Sequence, residues 1–251
     1  MTVPVGSLLS RRFHSKGHTM PNFSRRILKT FLVLLIPVIL ILGAARLLAT
    51  DAYLAYEYGK PSFPPDTYGF TSQQRFILAS TDIHYVRAHL PDNELAKQFL
   101  NGSIVYNERE VAHMADVQAV FQLVLRVWQF AFILFIFLAF VLWKKGEQTT
   151  VAAALREGGL LTSGIILTIG LLAVFAWQAW FEMFHRLFFK DGSWLFFYTD
   201  ALIRLFPIEF WFDSVITLSI LSLVAGLALA LLSWRGQTAL TRFQEESLGT
   251  H

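Results

Sequence analysis

Two histidines stand where their neighbours could make them do chemistry. His113 lies in Tyr106-Asn107-Glu108-Arg109-Glu110-Val111-Ala112-His113-Met114-Ala115-Asp116, a polar stretch that runs straight into a long apolar segment. At helical spacing Arg109, His113 and Asp116 share one face, and Glu110 sits three residues before His113 on a neighbouring position. Such groups can orient an imidazole and tune its proton affinity. The same charges also suit a capped, solvated first helical turn. The second histidine, His185, lies in Glu182-Met183-Phe184-His185-Arg186, just beyond another apolar run.

Three readings fit such a pair. In the first, one neutral histidine removes a proton from an attacking amine or water, while its partner or an arginine stabilises an oxyanion, giving acyl transfer by general acid/base catalysis. In the second, His113, Asp116 and His185 hold a metal in a membrane hydrolase, since His and carboxylate are ordinary zinc ligands. However, His-x-x-Asp matches no closed zinc motif, and no HExxH is present. In the third, the histidines are buried hydrogen-bonding groups of a non-enzymatic membrane scaffold or lipid-binding protein. Other chemistries are absent from the chain. It has no cysteine, hence no thiolate nucleophile and no disulfide framework. Ser103 and Ser193 lack a Gly-x-Ser-x-Gly elbow, and neither a phosphate loop nor a dinucleotide fingerprint occurs.

The elements that would position these residues are membrane helices. Of 251 residues, 55% are hydrophobic and 24 are Phe, and the mean hydropathy is +0.49, a composition foreign to soluble domains. Four runs are long enough to span a bilayer, at about 27–49, 120–143, 160–181 and 212–234. The first contains Pro37, a possible kink, and is too long for a secretory signal.

Charge sets the topology. Residues 1–25 form a basic tail with Arg11, Arg12, Lys16 and Arg25 and no acid; Met20 offers a second start site. Lys144, Lys145 and Arg156 flank the second and third runs, and Arg235 and Arg242 follow the fourth into a tail at 236–251. The positive-inside rule then places both termini in the cytoplasm and leaves residues 50–119 and 182–211 outside. The first of these outer segments is acidic, with Lys60, Arg75, Arg87, Lys97 and Arg109 set against Asp51, Glu57, Asp66, Asp82, Asp92, Glu94, Glu108, Glu110 and Asp116. The pattern over 73–90 predicts one or two short helices on the membrane surface, with His84 and His89 as surface histidines and Asp82 the only acid near them. Residues 182–211 read as an interfacial re-entrant segment turning at Asp191-Gly192. Trp177, Trp180, Trp194 and Trp211 suggest an aromatic belt. The expected fold is all-α: four transmembrane helices under an extracytoplasmic interfacial helical cap. His113 and His185 then share one depth, with Arg126 in the outer half of the second span, either functional or snorkelling.

Two motifs together carry a family resemblance. Tyr106-Asn107-Glu108-Arg109-Glu110…His113-Met114…Asp116-Val117, followed by Phe184-His185…Phe188-Phe189…Trp194…Leu202-Ile203…Pro207…Phe210-Trp211, resembles the lipoprotein intramolecular transacylase (Lit) family of small four-span bacterial membrane proteins. The resemblance implies transfer of the sn-2 acyl chain of a diacylglyceryl-modified lipoprotein onto the α-amine of its N-terminal cysteine, leaving a lyso-form lipoprotein. It implies that His113 and His185 are the catalytic pair, one as base for the amine and the other serving the leaving glyceryl oxygen. Asp116 or Glu110 would orient His113, Arg109 would hold an oxyanion or a substrate carbonyl, and Asn107, Arg126 and Trp194 would help orient or bind. The expected partners are bacterial lipoproteins and membrane lipids, with no nucleic acid and no cofactor. The expected location is the cell membrane, with the site on its outer side.

Overall fold

The structure, a computed structural model, describes residues 20–91 and 93–249, with side chains as far as 236. Residues 1–19 of the basic tail, Asp92 and residues 250–251 lie outside that range. The described chain is mostly helical, and four of its helices are long and apolar enough to cross a membrane. They are α1 (Asn22–Leu48), α5 (Glu108–Lys144), α6 (Gln148–Phe175) and α9 (Ile208–Gly249), the last apolar as far as Gly236. Between them lie α2 (Asp51–Tyr58), α3 (Ser72–Ala88), α4 (Asn93–Ala96), α7 (Trp177–Phe188) and α8 (Ala201–Leu205). A two-stranded antiparallel ribbon, β1 (Phe99–Leu100) with β2 (Ser103–Ile104), interrupts an otherwise helical chain. It turns through Asn101 and Gly102, both at positive φ.

Helix α6 packs along α9 and α1, and α1 also lies against α5 and α9. The α6–α9 contact is backbone to backbone: a Cβ built on Gly226 would stand 2.7 Å from the Gly159 carbonyl oxygen. Small residues at such crossings are what lets helices associate where lipid offers no hydrophobic gain. Phe130, Ile133, Phe137 and Phe140 of α5 are exposed. Exposed aromatic and aliphatic side chains in that number suit hydrocarbon rather than water. The protein is a multi-pass membrane protein.

The bundle carries two cores. Leu32, Leu138, Leu142 and Ala154 close the end where α1 starts, α5 stops and α6 begins. At that end Lys29 pairs with Glu157 at 2.6 Å and Arg25 reaches Glu147 at 3.7 Å. At the other end a larger core joins Leu54 of α2, Leu78 and Tyr85 of α3, Leu95, Tyr106, Met114 of α5, Leu202 and Leu205 of α8, and Phe210 of α9.

Three helix boundaries differ from the hydropathy pattern. Helix α5 begins at Glu108 rather than near 120, because Asn107 caps it: its Oδ1 accepts from the Arg109 and Glu110 N–H groups, and Glu110 returns a bond to the Asn107 N–H. At 37 residues the helix is roughly 55 Å long, against a hydrocarbon core of about 30 Å, so part of it stands clear of the lipid. Helix α6 stops at Phe175, not 181, where Ala176 leaves helical geometry (φ −139°, ψ 42°). Trp177 and Trp180, assigned by hydropathy to the third span, instead open α7 and stack at 5.5 Å. Helix α9 passes 234 and continues through the expected tail to Gly249. The segment 73–90 holds one helix, α3, which starts at a capping box of Thr71 and Gln74 and ends at Ala88 before His89.

Candidate active site

Helix α8 is the fixed point of the site. Arg75 of α3, 4% exposed, gives Nε and Nη2 to the Arg204 carbonyl at 3.0 and 2.6 Å and Nη1 to the Pro64 carbonyl at 2.8 Å. The Arg204 side chain forks onto Asp66 at 2.8 and 3.0 Å while lying 3.4 Å over the Phe70 ring. Burial pushes Asp66 up, but Arg204 and the N–H groups of Phe70 and Tyr68 overcome it and hold the carboxyl below its ordinary range. Two largely desolvated arginines thus tie α8 to α3 and to the Pro64–Phe70 loop.

Helix α5 is latched to α8 by two carboxylates reaching in opposite directions. Glu110 of α5, 1% exposed, accepts from the Leu202 N–H at 2.8 Å. Asp200, directly before α8, accepts from Asn107 Nδ2 at 3.2 Å and from Arg109 Nη2 at 3.4 Å. Its Oδ2 also takes the Phe197 N–H at 2.8 Å. The resulting turn sets Phe197 5.4 Å from the Arg109 guanidinium and Phe196 edge-on to His113 at 5.4 Å.

The two histidines come together in a cluster of aromatic rings. His113, half-buried on α5, lies 5.0 Å from the Phe189 ring. His185, near the end of α7, lies 5.7 Å from that ring, 4.1 Å from Phe181 and 5.5 Å from Trp194. His185 Nδ1 stands 2.7 Å from the Phe181 carbonyl oxygen. A carbonyl can only accept, so Nδ1 carries the proton and the neutral ring keeps its lone pair on Nε2. Burial lowers the His185 pKa below its ordinary 6.5, partly offset by that hydrogen bond. His113 Nδ1 is buried without a partner, and so is Ser193 Oγ.

Not every residue nominated by the sequence reaches this pocket. Asn107, Arg109 and Glu110 build the latch, and Glu110 is turned onto Leu202 rather than onto His113. Trp194 is 8% exposed against His185 instead of facing lipid in a belt. Asp116 and Arg126 are exposed on α5, without a hydrogen bond or ion pair among the described residues. His84 is an exposed histidine paired with Asp51 at 3.0 Å, whereas the acid near it in sequence, Asp82, is buried and bonded to the Tyr106 hydroxyl at 2.8 Å. Burial first, then the nearby Glu110, drives the Asp82 pKa well above the ordinary carboxyl value against the pull of that hydroxyl. Among the described residues, no group of three His, Cys, Asp or Glu side chains comes together as a metal site. Asp200 and Phe196 are not nominated by the local pattern, since Asp200 meets Asn107 across 93 residues of chain; Phe189 stands in the second motif without an assigned role.

The chain is similar to known proteins in sequence and in fold. A protein of Aquifex aeolicus (strain VF5) that is itself uncharacterized is 30% identical over 205 residues, covering 81% of this chain and 91% of that one. The in meso structure of the membrane-integral lipoprotein intramolecular transacylase Lit from Bacillus cereus superposes with a TM-score of 0.73 at 18% identity, over 89% of this chain and all of that one. A variant of that enzyme with a histidine replaced by alanine superposes at 0.63 and 18% identity, over 88% of this chain and 96% of the other. Residues 30–211 match the family model of the lipoprotein intramolecular transacylase Lit. The chain belongs to the lipoprotein intramolecular transacylase Lit family.

Proposed function

We propose that this protein moves the sn-2 acyl chain of a diacylglyceryl-modified lipoprotein to the α-amine of the lipoprotein's N-terminal cysteine. The observation that carries the reading is the convergence of His113 and His185 on the Phe189 ring, with Arg109 5.9 Å from the Phe196 ring that also packs on His113. Donor ester and acceptor amine belong to the same substrate, so proximity is supplied largely by the substrate itself. The enzyme's share is proton traffic and charge stabilisation.

His185 is the base. Its Nε2 lone pair takes the proton as the amine nitrogen forms its bond to the ester carbonyl carbon. An α-amine titrates near about 8, so a base of lower pKa removes its proton at modest cost. Collapse of the tetrahedral intermediate breaks the carbon–oxygen ester bond, and the glyceryl oxygen must then gain one proton. The neutral His113 gives it from its protonated ring nitrogen and regains one at that same nitrogen from the His185 imidazolium. The amine loses one proton, the glyceryl oxygen gains one, and both histidines end as they began. Arg109 stabilises the oxyanion. Asn107 and Glu110 hold Arg109 and His113 in register, and Trp194 seats His185. Asp116 and Arg126 remain available to the substrate's polar parts.

The site lies on the extracytoplasmic side of the cell membrane. In support, Arg25, Lys29, Lys144 and Lys145 gather at the opposite end of the bundle, where the positive-inside rule puts the cytoplasm. Exposed Leu187, Leu195, Phe197 and Tyr198 around the histidines suit a surface that receives acyl chains at the interface.

The test is mass spectrometry of the N-terminal peptide of a reporter lipoprotein, co-expressed in a host lacking its own N-acylating enzyme. An acyl chain on the amine with a monoacylglyceryl group left behind supports the reaction. A diacylglyceryl peptide left intact despite good expression refutes it and favours a scaffold or lipid-binding role.

A further inference from the structure

We propose that Asp200 is a positioning residue of this site, acting through Arg109 and through the Phe196–Phe197 turn. The proposal rests on the transacylase reading above. Asp200 is a carboxylate that neither histidine motif nominates, its side chain 12% exposed while that of its partner Arg109 is 56% exposed. It does not cap α8, before which it stands, although an aspartate in that place ordinarily would. Instead its two oxygens are spent on the site. Oδ1 takes the Asn107 amide; Oδ2 takes the Arg109 guanidinium and the Phe197 backbone.

Each of those bonds fixes something the chemistry uses. The Asn107 bond ties the cap of α5, and so the height of His113, to α8. The Arg109 bond is long, at 3.4 Å, so Asp200 steers the guanidinium without closing it off. Arg109 keeps exposed N–H groups for a developing oxyanion. The Phe197 bond shapes the turn that brings the Phe196 edge against His113. Removing Asp200 leaves Arg109 free to swing toward solvent and releases the wall beside His113. Misplacement of a catalytic group by about 1 Å is enough to cost on the order of a hundredfold in rate.

The experiment compares wild type, Asp200→Ala, Asp200→Asn, Arg109→Ala and the Asp200→Ala/Arg109→Ala double variant on a synthetic diacylglyceryl lipopeptide, with thermal unfolding of each. Wild-type turnover is the internal standard; its absence would refute the transacylase reading rather than the role of Asp200. In an active wild type, Asp200→Ala is expected to lose roughly ten- to a hundredfold in kcat, with KM changed less. The double variant should lose less than the product of the two single losses, because part of the Asp200 effect runs through Arg109. Asp200→Asn keeps the shape and one acceptor oxygen and should fall between. Unchanged kcat in Asp200→Ala, or losses that simply multiply in the double variant, would overturn the proposal. Should Asp200→Ala fail to accumulate, the isosteric Asp200→Asn decides: a lowered kcat at wild-type unfolding temperature supports the role, and wild-type kcat refutes it.

Discussion

His113 and His185 share a neighbour: the Phe189 ring lies 5.0 Å from the first imidazole and 5.7 Å from the second. They reach it from different helices, α5 and α7, and their other neighbours are apolar rings rather than carboxylates. The pair is thus held by aromatic packing and by the Phe181 carbonyl, not by the acid partners that often orient catalytic histidines.

Either histidine should be indispensable. His113→Ala and His185→Ala are each expected to lower transacylation by about 10² to 10⁴ while the protein still inserts and folds. Product quantified by mass spectrometry against membrane-inserted protein checks this, and full activity in either variant would remove that histidine from the mechanism.

The pH dependence follows from the direction of the His185 shift. Only neutral His185 accepts a proton, and burial lowers its pKa below 6.5. Its acid limb in kcat should therefore fall below 6.5, with activity rising as pH climbs through the lowered value. Stability moves the same way: below pH 6.5 the unfolded chain takes up a proton that folded His185 refuses. Stability is therefore lost as pH falls from 6.5 toward the folded pKa. Unfolding temperatures of wild type and His185→Gln across pH 4 to 8 check the sign, and a slope that survives the substitution unchanged would contradict it.

Glu110 should matter for the fold before it matters for catalysis. It is 1% exposed and accepts the buried Leu202 N–H, so Glu110→Ala orphans that donor at a cost of about 1–3 kcal/mol. Thermal unfolding should show the loss, and a variant as stable as wild type would mean the α5–α8 latch does not need it.

The α6–α9 crossing makes an independent prediction. Gly226→Val places side-chain atoms where the Gly159 carbonyl oxygen stands at 2.7 Å, and separation of the helices should destabilise by roughly 1–3 kcal/mol. Unfolding in detergent monitored by tryptophan fluorescence would show it; an unshifted transition would mean that the helices can part freely.

The sequence determined a great deal here because membrane helices are written locally. Twenty or so apolar residues suffice to specify a span, the Asn107–Glu110 pair declares its own helix start, and basic flanks mark an end of the bundle, all within a few residues of chain. The sequence also singled out His113 and His185, since ionisable groups beside hydrocarbon are rare. What only the tertiary structure decided was how those groups are served. Helical spacing pointed Glu110 and Asp116 at His113, yet Glu110 turns to the Leu202 backbone and Asp116 to the exterior. Spacing along one helix says which residues share a face; it does not say which unsatisfied backbone donor another element will bring. That donor arrives with α8, fixed by Arg75 and by the Asp66–Arg204 pair, contacts that span 129 and 138 residues of chain. A buried carboxylate goes to the nearest donor that would otherwise be orphaned, and only the folded chain determines where that donor is.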